Sequence, residues 1–381
     1  MRGQPVATER PPFVFWACLW GLGLSVAIAG VLLDTLIEDN GPLGRDFANL
    51  YAAGALALQG QALSAFDVVQ FRIAIFELTG ERTVQNYSYP PHALLIAIPF
   101  ALLPYLGSFA VWTLAGAGFF IWAARRWVPF APHLAILTPA AGLNMWNGHY
   151  GFFLGGLWLL FFHFLPRIPR RAGLIAAVLT IKPHMGLFIA VGALSRRPAL
   201  LWGAIGALVL FAVSASLFGL ASWEAFAVNT TATQAQILTR AEDLHYFRLM
   251  PTAFAAFGRG DFALVAHLIV VLCTLFMLLR RPTLDPFALA TATFLILPYA
   301  FSYDMTVACL GFAIILYRDW ATLDWWRKAV LSLGFLVPAW IIEAAPMAPL
   351  MLLGALWIQL ERAGHWKMGL PAEPRASAEP A

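Results

Sequence analysis

Charged residues are scarce in this sequence. Asp, Glu, Lys and Arg make up 12% of its 381 residues, whereas 61% are hydrophobic; a soluble domain carries about twice that charged fraction. Apolar stretches of roughly 17 to 22 residues recur from Phe13 to Leu360, and each could cross a hydrocarbon core as a helix. Because lipid offers no partners to backbone amides, and because the stretches lack the alternation of a membrane barrel, helices are expected. The composition predicts an all-α polytopic membrane protein.

Cysteines and the familiar nucleotide and nucleophile motifs are also missing or few. The three cysteines, Cys18, Cys273 and Cys309, lie in apolar stretches, which indicates packed thiols and no disulfide framework. The sequence has no Gly-x-Gly-x-x-Gly or Walker loop and no Gly-x-Ser-x-Gly elbow. It also has no His-x-x-x-His pair or cysteine cluster of the kind that binds zinc. We therefore expect neither a metal nor a cofactor.

The positive charges are not arranged for nucleic acid. The formal net charge is +4, but no basic stripe is interleaved with aromatic residues, so we expect no nucleic-acid partner. The basic residues form short clusters at the ends of apolar segments, namely Arg125 and Arg126, Arg167 to Arg171, Arg196 and Arg197, Arg280 and Arg281, and Arg327 and Lys328. Such clusters are typical of cytoplasmic flanks. They predict a multi-pass membrane protein with both termini in the cytoplasm.

Two stretches outside the apolar segments are long enough to form outer loops. The first apolar run, about 13–33, is too long for a cleaved signal peptide and is expected to remain as a helix. The acidic stretch 34–91 then forms a first outer loop, and residues 221–258 form a second. We expect residues 1–361 to be a single transmembrane domain, followed by a disordered cytoplasmic tail, 362–381.

Helical spacing and prolines indicate further detail within these segments. Apolar residues recur at helical spacing over Phe47–Gln59 and Ala65–Leu78, which predicts two amphipathic helices along the membrane interface. Prolines interrupt apolar runs at Pro104 and Pro183. If each run crossed once, some basic clusters of the first half would lie outside, so one interrupted run is expected to be a hairpin of half-helices. We predict roughly eleven to thirteen membrane segments, one of them over 131–146.

Ionisable residues in or beside membrane segments are costly, about 2.5–3.5 kcal/mol at a helix centre. Those of interest here are Asp46, His149, Lys182, His184, Asp304 and Glu343. Asp46 stands at the start of the first predicted loop helix, where its side chain could cap the helix or act as a general base toward a sugar hydroxyl. Glu343 precedes Ala-Ala-Pro at a predicted outer helix end, and we expect a structural role for it.

The Lys182-Pro183-His184 sequence interrupts the apolar run 172–194. A snorkelling lysine is the alternative, but the nearest segment ends are about ten residues away. Because proline frees a backbone carbonyl and breaks the helix, a lysine and a histidine here favour a site for a lipid phosphate. His149 lies in a Gly-rich turn and could be functional or idle. Asp304 lies in a second proline-broken region, where it could pair with a basic residue or bind sugar hydroxyls.

The order of these elements is distinctive. It comprises Asp-Phe-x-x-x-Tyr at Asp46, Phe47 and Tyr51; Gly-Gln-Ala-Leu-x-x-Phe-Asp over 60–67; Tyr89-Pro90-Pro91; Gly148-His149; Lys182-Pro183 before Ser-Arg-Arg at 195–197; and Leu-Pro-Tyr to Tyr-Asp over 297–304. This set, which covers about residues 45–305, resembles bacterial glycosyltransferase family 87, the polyprenol-phosphate-mannose-dependent transferases of the GT-C superfamily.

The resemblance implies a GT-C-type fold with an outer loop over the active site, and Asp46 as the general base of an inverting sugar transfer. The donor would be a polyprenyl-phosphate-linked sugar, the acceptor a lipid or glycan hydroxyl, and the surroundings membrane lipids. The leaving phosphate would be stabilised by Lys182, His184 and His149. The complete set of expected substrate-binding residues is Arg45, Tyr51, Tyr89, His149, Lys182, His184, Arg248, Tyr303 and Asp304.

The sequence also departs from that family, and other functions compete. Many relatives have Gln at the position of His149, and some have histidines in place of Tyr303 and Asp304, so the sugar stays open between mannose and another hexose or pentose. A secondary transporter or lipid flippase would also have broken helices and buried ions, but the two halves of the chain show no repeat. An O-acyltransferase would need a buried catalytic histidine, for which His245 and His267 are weak candidates. The transferase is favoured.

Overall fold

The computed structural model describes residues 10–36, 44–80, 85–239, 249–258 and 260–363, and these residues form helices and loops without a β-strand. The α-helices are α1 (Phe13–Leu36), α2 (Arg45–Leu58), α3 (Val68–Thr79), α4 (Leu94–Ala101), α5 (Tyr105–Ala124), α6 (Pro139–Asn147), α7 (Gly151–Phe164), α8 (Pro169–Leu179), α9 (Leu187–Leu194), α10 (Arg197–Phe218), α11 (Leu220–Ala225), α12 (Thr231–Thr239), α13 (Ala253–Ala256), α14 (Asp261–Arg280), α15 (Pro286–Ile296), α16 (Thr306–Arg318), α17 (Trp325–Ala344) and α18 (Met347–Arg362). Short 3-10 helices and one π-helical turn connect some of them. The predicted all-α class is confirmed.

Apolar helices dominate the described residues. By length and composition three of them, α5, α10 and α14, could cross a membrane, and several shorter apolar helices accompany them. The total of eleven to thirteen segments stays a prediction. So does the disordered tail, since residues 364–381 lie outside the described part of the chain.

Proline determines where the apolar runs are interrupted. The predicted break in 172–194 is confirmed: α8 ends at Leu179, a 3-10 helix follows over Pro183–Gly186, and α9 begins at Leu187. Lys182 precedes the proline and has φ −128° and ψ 73°, because a residue before proline is disfavoured in the helical region. The lysine therefore stands outside both helices.

The second predicted proline-broken region is also non-helical, and one predicted segment is divided. Helix α15 ends before Pro298, and a 3-10 helix over Ser302–Met305 carries Asp304 to the start of α16. The segment predicted over 131–146 is helical but interrupted. Two elements occupy it, a 3-10 helix over Pro132–Ala135 and then α6, because proline suits a first helical turn but not a helix interior.

The two loop helices differ from each other in what they bury. The predicted helix over Phe47–Gln59 is α2, but its apolar face packs on α4, so close that a Cβ on Gly54 would lie 2.5 Å from the carbonyl oxygen of Ala97. This face is therefore covered by protein. The predicted helix over Ala65–Leu78 is divided, because Asp67 caps α3 by accepting hydrogen bonds from the amides of Val69 and Gln70.

Helix α3 does present an apolar stripe outward. Val69, Ile73 and Phe76 recur at helical spacing, and they are 65%, 46% and 49% exposed. The opposite face buries Phe71 and Ile75 against the rest of the loop. The expectation of a helix lying along the membrane interface therefore applies to α3, where an apolar face is available, and not to α2.

The centre of the protein is helix α16. Its residues from Thr306 to Leu316 are all buried, and α7, α15, α17 and α18 pack around it. Because α16 follows directly on the 3-10 helix Ser302–Met305, this packing fixes the position of Asp304.

Helix α8, which leads to Lys182, packs on α10 through Gly173, where a Cβ would meet the carbonyl oxygen of Ala199 and, at 2.8 Å, the amide nitrogen of Gly203. Small residues allow such close helix contacts in membranes.

Replacement of Gly173 with Ala tests this contact. The added methyl group meets backbone atoms of α10, which cannot move aside as a side chain could, so we expect a loss of about 1–3 kcal/mol. Thermal unfolding of the purified protein in detergent measures the loss. Gly118→Ala is the matched control, since no heavy atom lies within 4 Å of a Cβ at that position. Equal stability of the two variants would contradict the close packing.

Candidate active site

Asp46 lies in the first turn of α2 but does not cap it. The N-cap residue is Gly44, which has a left-handed backbone (φ 74°) and makes no side-chain cap hydrogen bond, so the alternative of a capping role for Asp46 is wrong. Its Oδ1 accepts a hydrogen bond of 3.0 Å from Nε2 of Gln85. Its Oδ2 is buried and has no hydrogen-bond partner among the described residues. One carboxylate oxygen is thus held in place, and the other can still accept a hydrogen bond.

The surroundings of Asp46 change its acidity. Burial raises the pKa of the Asp46 carboxyl above its ordinary value of 3.8, and the negative charge of Asp304 adds to this effect. The positive charges of Arg45 and Lys182 and the hydrogen bond from Gln85 oppose it, without cancelling it. A carboxylate with a raised pKa is a stronger base, which suits proton abstraction from a hydroxyl.

A glycine-to-aromatic contact joins the start of α2 to the turn that carries His149. Gly148 has φ 67°, and a Cβ there would lie 2.5 Å from the Cβ of Phe47 and 2.8 Å from the ring of Phe109. The carbonyl oxygen of Gly148 accepts a 2.9 Å hydrogen bond from Nε1 of Trp112. Only glycine combines this backbone conformation with so close an approach. The turn therefore places His149 beside the residue that follows Asp46.

Lys182 and Asp304 form a buried ion pair. Nζ of Lys182 lies 2.5 Å from Oδ2 of Asp304, and their side chains are 7% and 3% exposed. The two residues are 122 positions apart in the sequence, and each stands at a proline break. Of the two roles considered for Asp304, pairing with a basic residue is confirmed. Pairing is what allows two charges to be buried at a tolerable cost.

His149 connects this pair to two tyrosines. Its Nε2 lies 3.0 Å from the hydroxyl of Tyr89, and its Nδ1 lies 3.9 Å from Oδ1 of Asp304. Its ring packs on Tyr303 with 3.8 Å between centroids, and the carbonyl oxygen of Tyr303 accepts a 2.6 Å hydrogen bond from Asn144. Five predicted site residues, Tyr89, His149, Lys182, Tyr303 and Asp304, are therefore gathered in one cluster, which we call the polar cluster.

The other predicted site residues lie at the edge of the polar cluster, away from it, or outside the described residues. Arg45 precedes Asp46 and is close enough for its charge to act on that carboxylate. His184 packs against Tyr299 at 5.7 Å, two residues after Lys182. The structure does not bring Tyr51 to the polar cluster: its hydroxyl donates to the carbonyl oxygen of Leu103, which directs it toward the junction of α4 and α5. Arg248 and His245 lie outside the described residues, as do the side chain of Glu343 and loop residues 37–43, 81–84, 240–248 and 259.

Three residues of the site had not been identified from the sequence. Gln85 holds Asp46, Asn144 holds the backbone of Tyr303, and Tyr150 packs against Tyr89 with 4.6 Å between tilted rings. Asn144 could have been found, because an amide side chain within an apolar helix is rarely buried without a partner. Gln85 carried no such signal, since it stands in a polar loop.

A cavity extends from the polar cluster into apolar surroundings. Lys182 and Asp304 are the charged residues that line it, and the remaining lining is almost entirely apolar. The apolar lining side chains are Leu154, Trp158, Leu179, Met185, Ile189, Phe294 and Val307. Among the described residues, no group of three or more His, Cys, Asp or Glu side chains is arranged to hold a metal ion. The site therefore combines a cation at an apolar cavity with a carboxylate, that of Asp46, which is close enough for the charge of Lys182 to act on it.

Comparison with known families gives one match. The family model described as Glycosyltransferase family 87 matches residues 87–302, which is more than half of the chain. The matched part includes Tyr89, His149 and Lys182, whereas Asp46 lies before it and Asp304 just after it. A search of curated proteins and a search of solved structures gave no significant match.

The buried ion pair leads to a prediction about stability. Lys182→Met leaves the carboxylate of Asp304 buried without its cation, and we expect this to cost about 3–5 kcal/mol. The double variant Lys182→Met/Asp304→Leu removes both charges and should recover most of the loss. Unfolding of the wild type, both single variants and the double variant in detergent completes the cycle. Additive losses would show that the two side chains are not coupled.

Proposed function

Because the chain belongs to glycosyltransferase family 87, we propose that it transfers a sugar from a polyprenyl-phosphate donor to a hydroxyl of a lipid or glycan acceptor. The sugar is mannose or another hexose or pentose. The reaction takes place on the outer, periplasmic face of the inner membrane, with both termini in the cytoplasm. The single observation that carries the proposal is the position of Asp46, whose second carboxylate oxygen has no hydrogen-bond partner among the described residues and whose carboxyl group is close enough to Lys182 and Asp304 to be affected by their charges.

The chemistry assigned to Asp46 is that of a general base in an inverting transfer. Its Oδ2 accepts the proton of the acceptor hydroxyl while the hydroxyl oxygen forms a bond to the anomeric carbon of the sugar. The bond between that carbon and the phosphate oxygen breaks on the opposite face, and the lipid phosphate leaves with the bonding electrons. Gln85, which donates to the other carboxylate oxygen, orients the base for this step.

Groups of the polar cluster stabilise the leaving phosphate. Lys182 supplies a buried positive charge, which acts more strongly there than it would in water. The hydroxyl of Tyr89 and the ring of His149 are hydrogen-bonded to each other and form the neutral part of the cluster, so the charge of the phosphate is met by Lys182. Arg45 and His184, at the edge of the cluster, are further candidates, as is Arg248. A phosphate that leaves among cationic and hydrogen-bonding side chains requires no metal ion in this scheme.

The lining of the cavity supports a lipid-linked donor. Beyond Lys182 and Asp304 the cavity offers apolar side chains such as Ile189 and Phe294. The N–H of Trp158 and the hydroxyl of Thr293 are already donated to the carbonyl oxygens of Pro286 and Leu289, so they are not available to sugar hydroxyls. Each hydroxyl left unpaired there would cost about 1–3 kcal/mol. An isoprenoid chain has no polar groups to satisfy, so the cavity favours the lipid and leaves the sugar at the polar end, toward Asp46.

Asp46→Asn tests the proposal most simply. The amide cannot accept the hydroxyl proton, and we expect turnover to fall at least about a thousandfold. Purified protein is incubated with a panel of radiolabelled polyprenyl-phosphate sugars and membrane lipid acceptors, and transfer is counted. Asp67→Asn is the matched control in the same loop, because asparagine also caps helices well, and it should retain most activity. Equal turnover by wild type and Asp46→Asn would remove Asp46 from its role.

The dependence of turnover on pH provides a second test. A general base works in its deprotonated form, so the rate rises with pH through the pKa of Asp46. Because burial raises that pKa above 3.8, the acid limb of the profile should have its midpoint above this value. Gln85→Leu removes a hydrogen bond that lowers the pKa, and it should move the limb to higher pH. A limb that stays in place in this variant would contradict the assignment.

A further inference from the structure

Lys182 is not free to receive a phosphate in this structure. Its ammonium group is already paired with Asp304, and both side chains are almost completely buried. A phosphate that approached Nζ of Lys182 would also approach the negative charge of Asp304 and be repelled by it. The ammonium group has further N–H donors, but the phosphate would bind beside an uncompensated carboxylate. Binding is therefore more favourable if that carboxylate turns to another partner.

The structure provides a second partner for Asp304. While Oδ2 contacts Lys182, Oδ1 is buried without a hydrogen bond among the described residues, and so is Nδ1 of His149. These two atoms are 3.9 Å apart, so a shift of about 1 Å would bring them to hydrogen-bond distance. The Nε2 atom of His149 lies 3.0 Å from the Tyr89 hydroxyl. If that hydroxyl donates, Nδ1 carries the ring proton and can donate to Asp304.

We propose that Asp304 is an exchangeable counter-ion that pairs with Lys182 in the empty site, turns to His149 when the donor phosphate binds, and returns to expel the lipid phosphate. The inference rests on the proposed function, because it takes a polyprenyl-phosphate sugar as the donor. It assigns to Asp304 a positioning role that a structural ion pair would not have. No proton is transferred in the exchange.

Charge explains why a competing carboxylate is useful. The donor is a phosphodiester with one negative charge, whereas the released lipid phosphate is a monoester with about −1.5 to −2 charges at neutral pH. A lysine without a competitor would hold this product more tightly than the donor, and turnover would be limited by release. The return of Asp304 to Lys182 replaces the departing phosphate with an internal anion, so neither charge is left buried alone.

Asp304→Asn should therefore bind the product more tightly. In this variant no carboxylate competes for Lys182, and we expect the dissociation constant of undecaprenyl phosphate to fall about tenfold. With release slowed, kcat should fall while the KM for the donor also falls. Binding is measured by the shift of the unfolding temperature with added undecaprenyl phosphate, which does not depend on turnover. Asp304→Glu keeps the carboxylate and should restore a dissociation constant close to that of the wild type.

A second variant changes binding in the opposite direction. His149→Phe keeps the aromatic contact with Tyr303 but removes the alternative partner of Asp304, which then stays on Lys182. Undecaprenyl phosphate should bind about tenfold more weakly to it. This variant decides the question if Asp304→Asn does not fold.

The outcomes separate this inference from the proposed function. Tighter binding in Asp304→Asn with weaker binding in His149→Phe supports the exchange. Unchanged or weaker binding in Asp304→Asn, or unchanged binding in His149→Phe, would overturn it while transfer by the wild type still upheld the function. A wild type that neither binds undecaprenyl phosphate nor transfers sugar from any polyprenyl-phosphate donor would overturn both.

Discussion

A buried ion pair between Lys182 and Asp304 is the interaction on which the site depends. Charges in the apolar interior of a membrane protein are tolerated only when they are paired. Each of these two residues is reached by a proline-interrupted segment, because the non-helical backbone at Lys182-Pro183 and after Pro298 frees the chain to turn its side chains inward. The two proline breaks allow the charged side chains to meet, and the packing of α16 fixes the position of Asp304. Both features are therefore needed for the ion pair.

The outer loop is attached to that arrangement by backbone geometry. Gly148 allows the turn before His149 to contact Phe47, and Gly54 allows α2 to lie against α4. Asp46 is therefore presented to the polar cluster by rigid packing instead of by a flexible segment. Rigid attachment matters for a general base, because its catalytic effect depends on a distance of about 3 Å to the proton that it accepts. Membership of glycosyltransferase family 87 is consistent with this design: the protein is a membrane glycosyltransferase.

Much of this could be predicted from the sequence, for identifiable reasons. The helical class followed from composition, and both breaks followed from proline. His149, Lys182 and Asp304 were identified because ionisable residues are costly in or beside apolar segments, and Tyr89 and Tyr303 because they belong to the motifs that resemble the family. The structure brings these five residues together. What failed depended on tertiary contacts. The apolar face of α2 has the same spacing whether it meets lipid or protein. Tyr51 was predicted for the site and Gln85 was not, and only the neighbours that folding gives to each residue decide which of them lies in the site.

The central claim is that Asp46 and Lys182 act on two ends of one substrate. The most direct measurement is a structure of the protein with a non-transferable polyprenyl-phosphate sugar bound in lipid nanodiscs. The account predicts phosphate oxygens within hydrogen-bond distance of Nζ of Lys182, with the anomeric carbon of the sugar facing the carboxylate of Asp46. A sugar phosphate bound elsewhere, with Asp46 directed away from it, would contradict the account.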